Sequence, residues 1–120
     1  MSSFQELSSD EQAALDAWLQ SYEIPLTYRD GQQLCDALKV ARMFNRILPG
    51  LVDLTSYTPC LSLPLNFLNW QIFNQQVLRK LDMGLPLEDL EKMGQGCVKT
   101  IDLLLHTLMT NESRLKQKEV

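Results

Sequence analysis

The residue types best suited to chemistry in this sequence are three cysteines, Cys35, Cys60 and Cys97, and the single histidine, His106. A thiol beside an imidazole base can act as a nucleophile, and thiols with imidazoles can hold zinc. No two of the cysteines have the short spacing of a zinc motif. Cys97 and His106 belong to one predicted helical region and are separated by about 13 Å of helical rise, so direct contact is not expected. We therefore predict no metal, no cofactor and no enzymatic activity, and interpret Cys35 and Cys97 as small buried residues.

The sequence also contains no motif for phosphate binding or for catalysis by paired carboxylates. The five glycines never form GxGxxG or a P-loop. The acidic cluster of Glu88, Asp89 and Glu91 follows Pro86. Negative charge is favourable at a helix N-terminus, so we interpret this cluster as a solvated first turn rather than as paired catalytic carboxylates.

Composition and charge narrow the class of protein. A chain of 120 residues with 45% hydrophobic and 22% charged residues is typical of one globular domain. The net charge of -4 argues against a broadly basic nucleic-acid-binding protein. No apolar run approaches the ~20 residues of a membrane helix, and the first residues lack a secretory signal. We expect a soluble intracellular domain, with a polar lead-in over residues 1–8, the folded domain over 9–109 and a polar helical or disordered tail over 110–120.

Helical periodicity runs nearly throughout the chain and predicts an all-α fold, a bundle of about four main helices with short connecting helices. The first helix is expected to begin with Ser9 as N-cap and Gln12 as its capping-box partner, and to end before Pro25. Its apolar stripe comprises Ala14, Leu15, Trp18 and Leu19. The other predicted helices cover about residues 31–47, 65–81 and 87–109. Asp30 is expected to cap the second helix, and Gly94 with Gly96 to divide the last region into a short helix and a long one.

The order of these elements and their signature residues resembles a calponin-homology domain over about residues 10–109. The residues that carry this resemblance are Trp18-Leu19, Asp30-Gly31 with Leu34, Leu48-Pro49 with Val52, Asn69-Trp70 with Leu78, and Leu85-Pro86 through Leu108. Within that superfamily the chain is most similar to the sperm flagellar, CLAMP-type domains. The matching stretch contains Tyr57-x-Pro59, Leu68-Asn69-Trp70, Asn74, Val77-Leu78 and Lys80-Leu81.

The resemblance implies a non-enzymatic cytoskeletal module. Domains of this type associate with axonemal or cortical microtubules, which implies a cytoplasmic, cytoskeletal protein of the cilium or flagellum. They often precede a C-terminal coiled coil, which implies a dimer in a longer parent protein. Lys80 matches the family pattern, whereas the family's basic loop before Asp-Gly is represented here by Arg29 alone.

Cationic residues supply the chemistry that an acidic filament requires. Lys39, Arg42 and Arg46 are spaced i, i+3 and i+7, so they share one face of the second helix. Arg79 and Lys80 follow at the end of the central helix. We predict that these five residues, together with Arg29, form the partner-binding surface.

Two other binding functions stay open on the sequence alone. Tyr22, Tyr28, Tyr57 and Phe67 lie near loops or helix ends, where they can line a groove for a partner helix. Such a groove would make the domain an adaptor for other cytoskeletal or ciliary proteins. Actin binding is the third hypothesis, and the flagellar-type resemblance points away from it.

Overall fold

The computed structural model describes residues 7–24, 37–50 and 63–117 of the chain. Regular structure in these ranges is helical throughout, which confirms the predicted all-α class. The α-helices are α1 (Ser9–Ser21), α2 (Leu38–Ile47), α3 (Leu63–Phe73), α4 (Leu87–Gly94) and α5 (Val98–Gln117). A π-helical segment, Asn74–Leu78, and a 3₁₀ turn, Arg79–Leu81, continue α3, and we call residues 74–81 the α3 extension.

A complete capping box begins α1. Ser8 Oγ accepts a hydrogen bond from the Glu11 backbone N–H at 3.1 Å, and Glu11 Oε1 accepts one from the Ser8 N–H at 2.9 Å. The pair satisfies two N–H groups that a first helical turn leaves unbonded. The prediction of Ser9 with Gln12 is therefore wrong by one residue. Both pairs fit the sequence pattern, and the ionised carboxylate of Glu11 is the stronger acceptor.

Three helical segments end in the same way, with one residue in the left-handed conformation. These residues are Glu23 (φ 60°), Asp82 (φ 59°) and Gly96 (φ 88°). In each case the next backbone N–H donates to the carbonyl five residues earlier, at 2.8–3.0 Å, which defines a Schellman motif. The motif at Gly96 separates α4 from α5 and confirms the predicted break. Glycine adopts this conformation without a steric cost, whereas Glu23 and Asp82 carry one.

The start of α2 differs from its prediction. Ala37 is buried and left-handed (φ 67°), and its side chain provides no cap, so the described helix begins at Leu38 rather than near Gly31. Periodicity could not show this break because Ala is a strong helix former and carries no turn signal. The expected cap at Asp30 lies outside the described residues. The helix ends at Ile47, in agreement with the expected stop at Pro49-Gly50.

Aromatic side chains join α2 to α3 in the centre of the core. The rings of Phe44 and Phe73 meet edge to face with centroids 5.0 Å apart, and Trp70 contacts Phe73 in the same way at 5.8 Å. All three are fully buried, and side chains of this size dominate core energetics. The predicted stripe of Leu15 and Leu19 in α1 is also buried, whereas Ala14 of that stripe faces solvent.

A cluster of hydrogen bonds with one ion pair connects the end of α5 to α1. Glu112 accepts hydrogen bonds from Trp18 Nε1 at 3.0 Å and from the Tyr22 hydroxyl. Lys116 Nζ lies 3.2 Å from the Glu112 carboxylate and donates to the Tyr22 hydroxyl at 2.7 Å. Leu115 is buried beside these residues. We call Trp18, Tyr22, Glu112 and Lys116 the α1–α5 cluster, and it shows that α5 packs on the bundle beyond Met109.

Candidate partner-binding surface

The exposed face of α2 carries the cationic residues that the sequence pattern indicated. Arg42 and Arg46 are exposed and one helical turn apart, and Lys39 is half-buried. The opposite side of the helix is buried through Val40, Phe44 and Ile47 among others. Because the core fixes that side, the two arginines are presented to solvent on a rigid element. We call Lys39, Arg42 and Arg46 the α2 cationic face.

Charge is segregated in α2 and in the run from α3 through its extension. The ten residues of α2 contain its three cations and no Asp or Glu. The run from Leu63 to Leu81 contains Arg79 and Lys80 and again no carboxylate. In a chain of net charge -4, these two elements are locally positive. Such a local patch can bind an acidic surface even though the whole protein is acidic.

Among the described residues, the carboxylate of Glu23 interrupts the α2 cationic face. Glu23 Oε2 lies 3.2 Å from Arg46 Nη2, and both side chains are largely exposed. The left-handed turn that ends α1 places Glu23 there. An exposed ion pair of this kind is worth about 0–1 kcal/mol, so it competes only weakly with a partner. Sequence analysis missed Glu23, because its position depends on how α1 packs beside α2.

Arg79 and Lys80 are exposed at the end of the α3 extension. The aliphatic stem of Arg79 lies over Gly84, where an added methyl group would come within 3.3 Å of Arg79 Cγ. Gly84 therefore leaves room for the arginine stem. Arg29, the remaining predicted site residue, lies outside the described residues.

The aromatic residues of the adaptor hypothesis do not form one described groove. Tyr22 packs edge to face on Trp18 at 5.6 Å and belongs to the α1–α5 cluster, while Phe67 of α3 is half-buried against the core. Tyr28 and Tyr57 lie outside the described residues.

Desolvation raises the pKa of Glu112, but hydrogen bonds from Tyr22, Trp18 and Lys116 outweigh it and leave that pKa below its ordinary value. The role of Tyr22 in the structure is therefore to hold α5.

Cys97 and His106 are engaged with different partners. Cys97 Sγ accepts a hydrogen bond from Thr100 Oγ1 at 3.2 Å, and His106 Nε2 lies 3.9 Å from Glu11 Oε2 of α1. Partial burial raises the pKa of Cys97, but hydrogen bonds from Thr100 and from the backbone outweigh it and lower that pKa overall. Within residues 7–24, 37–50 and 63–117, no group of three or more His, Cys, Asp or Glu side chains could hold a metal ion. Cys35 and Cys60 lie outside the described residues.

No helix in the described part of the chain is long and apolar enough to span a bilayer. The α-helices form a bundle in which α2 presents Arg42 and Arg46 to solvent, and this arrangement defines an all-α domain. The family model described as "CH-like domain in sperm protein" matches residues 15–110. The chain belongs to this family of calponin-homology-like domains, which confirms the resemblance that its signature residues indicated.

Curated relatives carry the name of a flagellar protein. The chain is similar to mouse sperm flagellar protein 1, with 28% identity over 117 residues, which cover 95% of this chain and 49% of the relative. It is similar to the human protein of that name, with 27% identity over 115 residues, 93% of this chain and 48% of the relative. The frog protein (Xenopus laevis) is 26% identical over 104 residues, 86% of this chain and 45% of the relative. The chain thus spans about half the length of these relatives.

Proposed function

We propose that this domain is a non-enzymatic cytoskeletal module that associates with microtubules through the α2 cationic face. The observation that carries the proposal is the exposure of Arg42 and Arg46, one turn apart, on a helix without a carboxylate. Arg79 and Lys80 add positive charge at the end of the α3 extension. The flagellar relatives favour a site of action in the cytoplasmic cytoskeleton of a cilium or flagellum.

Electrostatics accounts for how such a face would act. Microtubule surfaces are strongly acidic, so exposed guanidinium groups attract them and can pair with their carboxylates. The contact would be screened beyond about 8–10 Å at physiological salt, and binding should therefore weaken as salt rises. Dimerisation through a C-terminal coiled coil in a longer parent protein stays a prediction, and it would strengthen binding through avidity.

The test is co-sedimentation with stabilised microtubules at several salt concentrations. The double variant Arg42→Glu, Arg46→Glu should lose about tenfold or more in affinity, since it replaces two favourable charges by two unfavourable ones. Arg114→Glu is a control for charge reversal away from this face, because Arg114 is an exposed arginine at the far end of α5. Circular dichroism should show that every variant keeps the helical content and unfolding transition of the parent chain.

Two outcomes would reject the proposal. Binding that ignores both salt and the double variant would show that the α2 cationic face is not the contact. Stronger sedimentation with actin filaments than with microtubules, measured side by side, would favour the actin hypothesis instead.

A further inference from the structure

A small cleft lies between the outer side of α3 with its extension and the start of α4. Its volume is about 120 Å³. An engineered cavity of about 150 Å³ in another protein holds a benzene molecule, so this cleft has the size of a single aliphatic side chain. The residues that line it are Gln71, Asn74, Gln75, Arg79, Leu87 and Leu90.

Two exposed leucines accompany the cleft. Leu87 is 61% exposed and Leu68 is 47% exposed, and they are the large hydrophobic residues that face solvent in the described part of the chain. Leu87 lines the cleft directly. Leu68 lies one turn before Gln71 and two turns before Gln75, so it continues the same helical row. Exposed apolar residues that flank a concave site are typical of surfaces that bind a partner.

The floor of the cleft is fixed. The Asn74 side chain donates to the Leu85 carbonyl at 3.2 Å and accepts from the Leu85 N–H at 2.8 Å. This bidentate pair ties the α3 extension to the segment that leads into α4. Gln71 and Gln75 also line the cleft, and a side-chain amide can bond the backbone of a bound peptide.

Arg79 gives the cleft its charge. Its stem lies over Gly84, and the residue is exposed. The neighbouring carboxylate on α4, Glu88, lies 3.7 Å from Lys92 Nζ. An exposed guanidinium at the edge of a cleft that also contains leucine is complementary to a carboxylate, which it can bind through two hydrogen bonds.

We propose that this cleft is a docking site for a peptide segment of a partner protein, and that the segment carries an aliphatic side chain with an acidic residue close by. The aliphatic group would enter between Leu87 and the α3 row, and the carboxylate would pair with Arg79. This site does not include Lys39, Arg42 or Arg46, so it would let the domain hold a second protein while the α2 cationic face binds a filament, with Arg79 then serving the peptide.

A selection from a displayed library of random peptides tests the proposal, because the library samples every combination of side chains that the cleft could accept. Selected peptides should share an Asp or Glu within four residues of a Leu, Ile or Met. Leu87→Ser and Arg79→Glu should each weaken binding about tenfold or more, whereas Arg114→Glu should leave it unchanged. The amide resonances of Gln71, Gln75 and Leu87 in the parent chain should shift when a selected peptide is added.

Leu87→Ser also separates the two proposals. The side chain is exposed, so the variant should keep its fold and should sediment with microtubules like the parent chain. A selection without binders would overturn the docking proposal, and so would binders that tolerate Leu87→Ser or that shift resonances elsewhere. Self-association of the chain that Leu87→Ser abolishes would instead assign the cleft to a second copy.

Discussion

Arg46 Nη2 on α2 lies 3.2 Å from Glu23 Oε2, the carboxylate that follows α1. This ion pair crosses from one helix to another and joins side chains 23 residues apart in sequence. It also places a negative charge directly on the face that we propose binds microtubules. Several expectations depend on that geometry and on the contacts that hold the helices around it.

Removing the Glu23 charge should strengthen filament binding. Glu23→Gln keeps the size of the side chain and releases Arg46. We expect a gain of about 1.4- to 5-fold in microtubule affinity, because an exposed pair is worth about 0.2–1 kcal/mol. Co-sedimentation at low salt measures it. Glu91→Gln removes one charge from an exposed position on α4 and is the matched control. Equal gains in both variants would show that only net charge matters.

Replacing Glu23 by glycine should stabilise the fold. Glu23 has φ 60°, which costs a side-chain-bearing residue about 1 kcal/mol and costs glycine little. The larger freedom of glycine in the unfolded chain offsets part of this gain, so we expect about 0.5–1 kcal/mol more unfolding free energy. Urea denaturation provides the measurement, with Glu23→Gln as the reference that removes the same charge. A lower urea midpoint for Glu23→Gly than for Glu23→Gln would contradict this account.

Truncating Asn74 should weaken the junction between the α3 extension and α4. Asn74→Ala leaves the N–H and carbonyl of Leu85 without their partner, which costs about 1–3 kcal/mol for partly buried groups. Gln76→Ala, at an exposed neighbouring position, should change the unfolding free energy by less than about 0.5 kcal/mol. Urea unfolding of both variants compares their losses of unfolding free energy. If the two variants unfold at the same midpoint, the side-chain bridge contributes nothing.

Acid should loosen the attachment of α5 to α1. The pKa of Glu112 is lowered in the folded state, so its carboxylate stabilises the fold above the unfolded value of about 4.5 and loses that effect as pH falls through the lower, folded value. Thermal unfolding between pH 7 and pH 3 should therefore show a decline that is shallower in Glu112→Gln. Part of the decline should persist, because the pKa of Glu11 is lowered as well by its hydrogen bonds with Ser8. An unchanged slope in Glu112→Gln would exclude this contribution.

Local sequence signals predicted the helices well. Apolar spacing located the buried Trp70, Phe73 and Val77, and the glycine at position 96 marked the end of α4 correctly. These features follow from rules that act within a few residues of the chain. The left-handed Ala37 and the π-helical turn that begins at Asn74 had no such signal, because tertiary packing overrides local propensity at both places.

The candidate site was only partly accessible from sequence. Helical spacing placed Arg42 and Arg46 together on the exposed side of α2, as the structure has them. The pairing of Arg46 with Glu23 and the position of Arg79 and Leu87 on one cleft depend on how separate helices pack. Spacing along one helix carries no information about such contacts, so the cleft and the competing carboxylate emerged only with the fold.

The hydrogen bond from Trp18 to Glu112 affects where a recombinant form of this domain should end. The family match stops at residue 110, yet Glu112, Leu115 and Lys116 all lie beyond it and pack on the bundle. A recombinant piece ending at residue 110 would leave the Trp18 indole without its acceptor and open an apolar seam to water. Contacts across the bundle therefore set the practical boundary of this fold, which lies about one and a half helical turns beyond the end of the family match at residue 110.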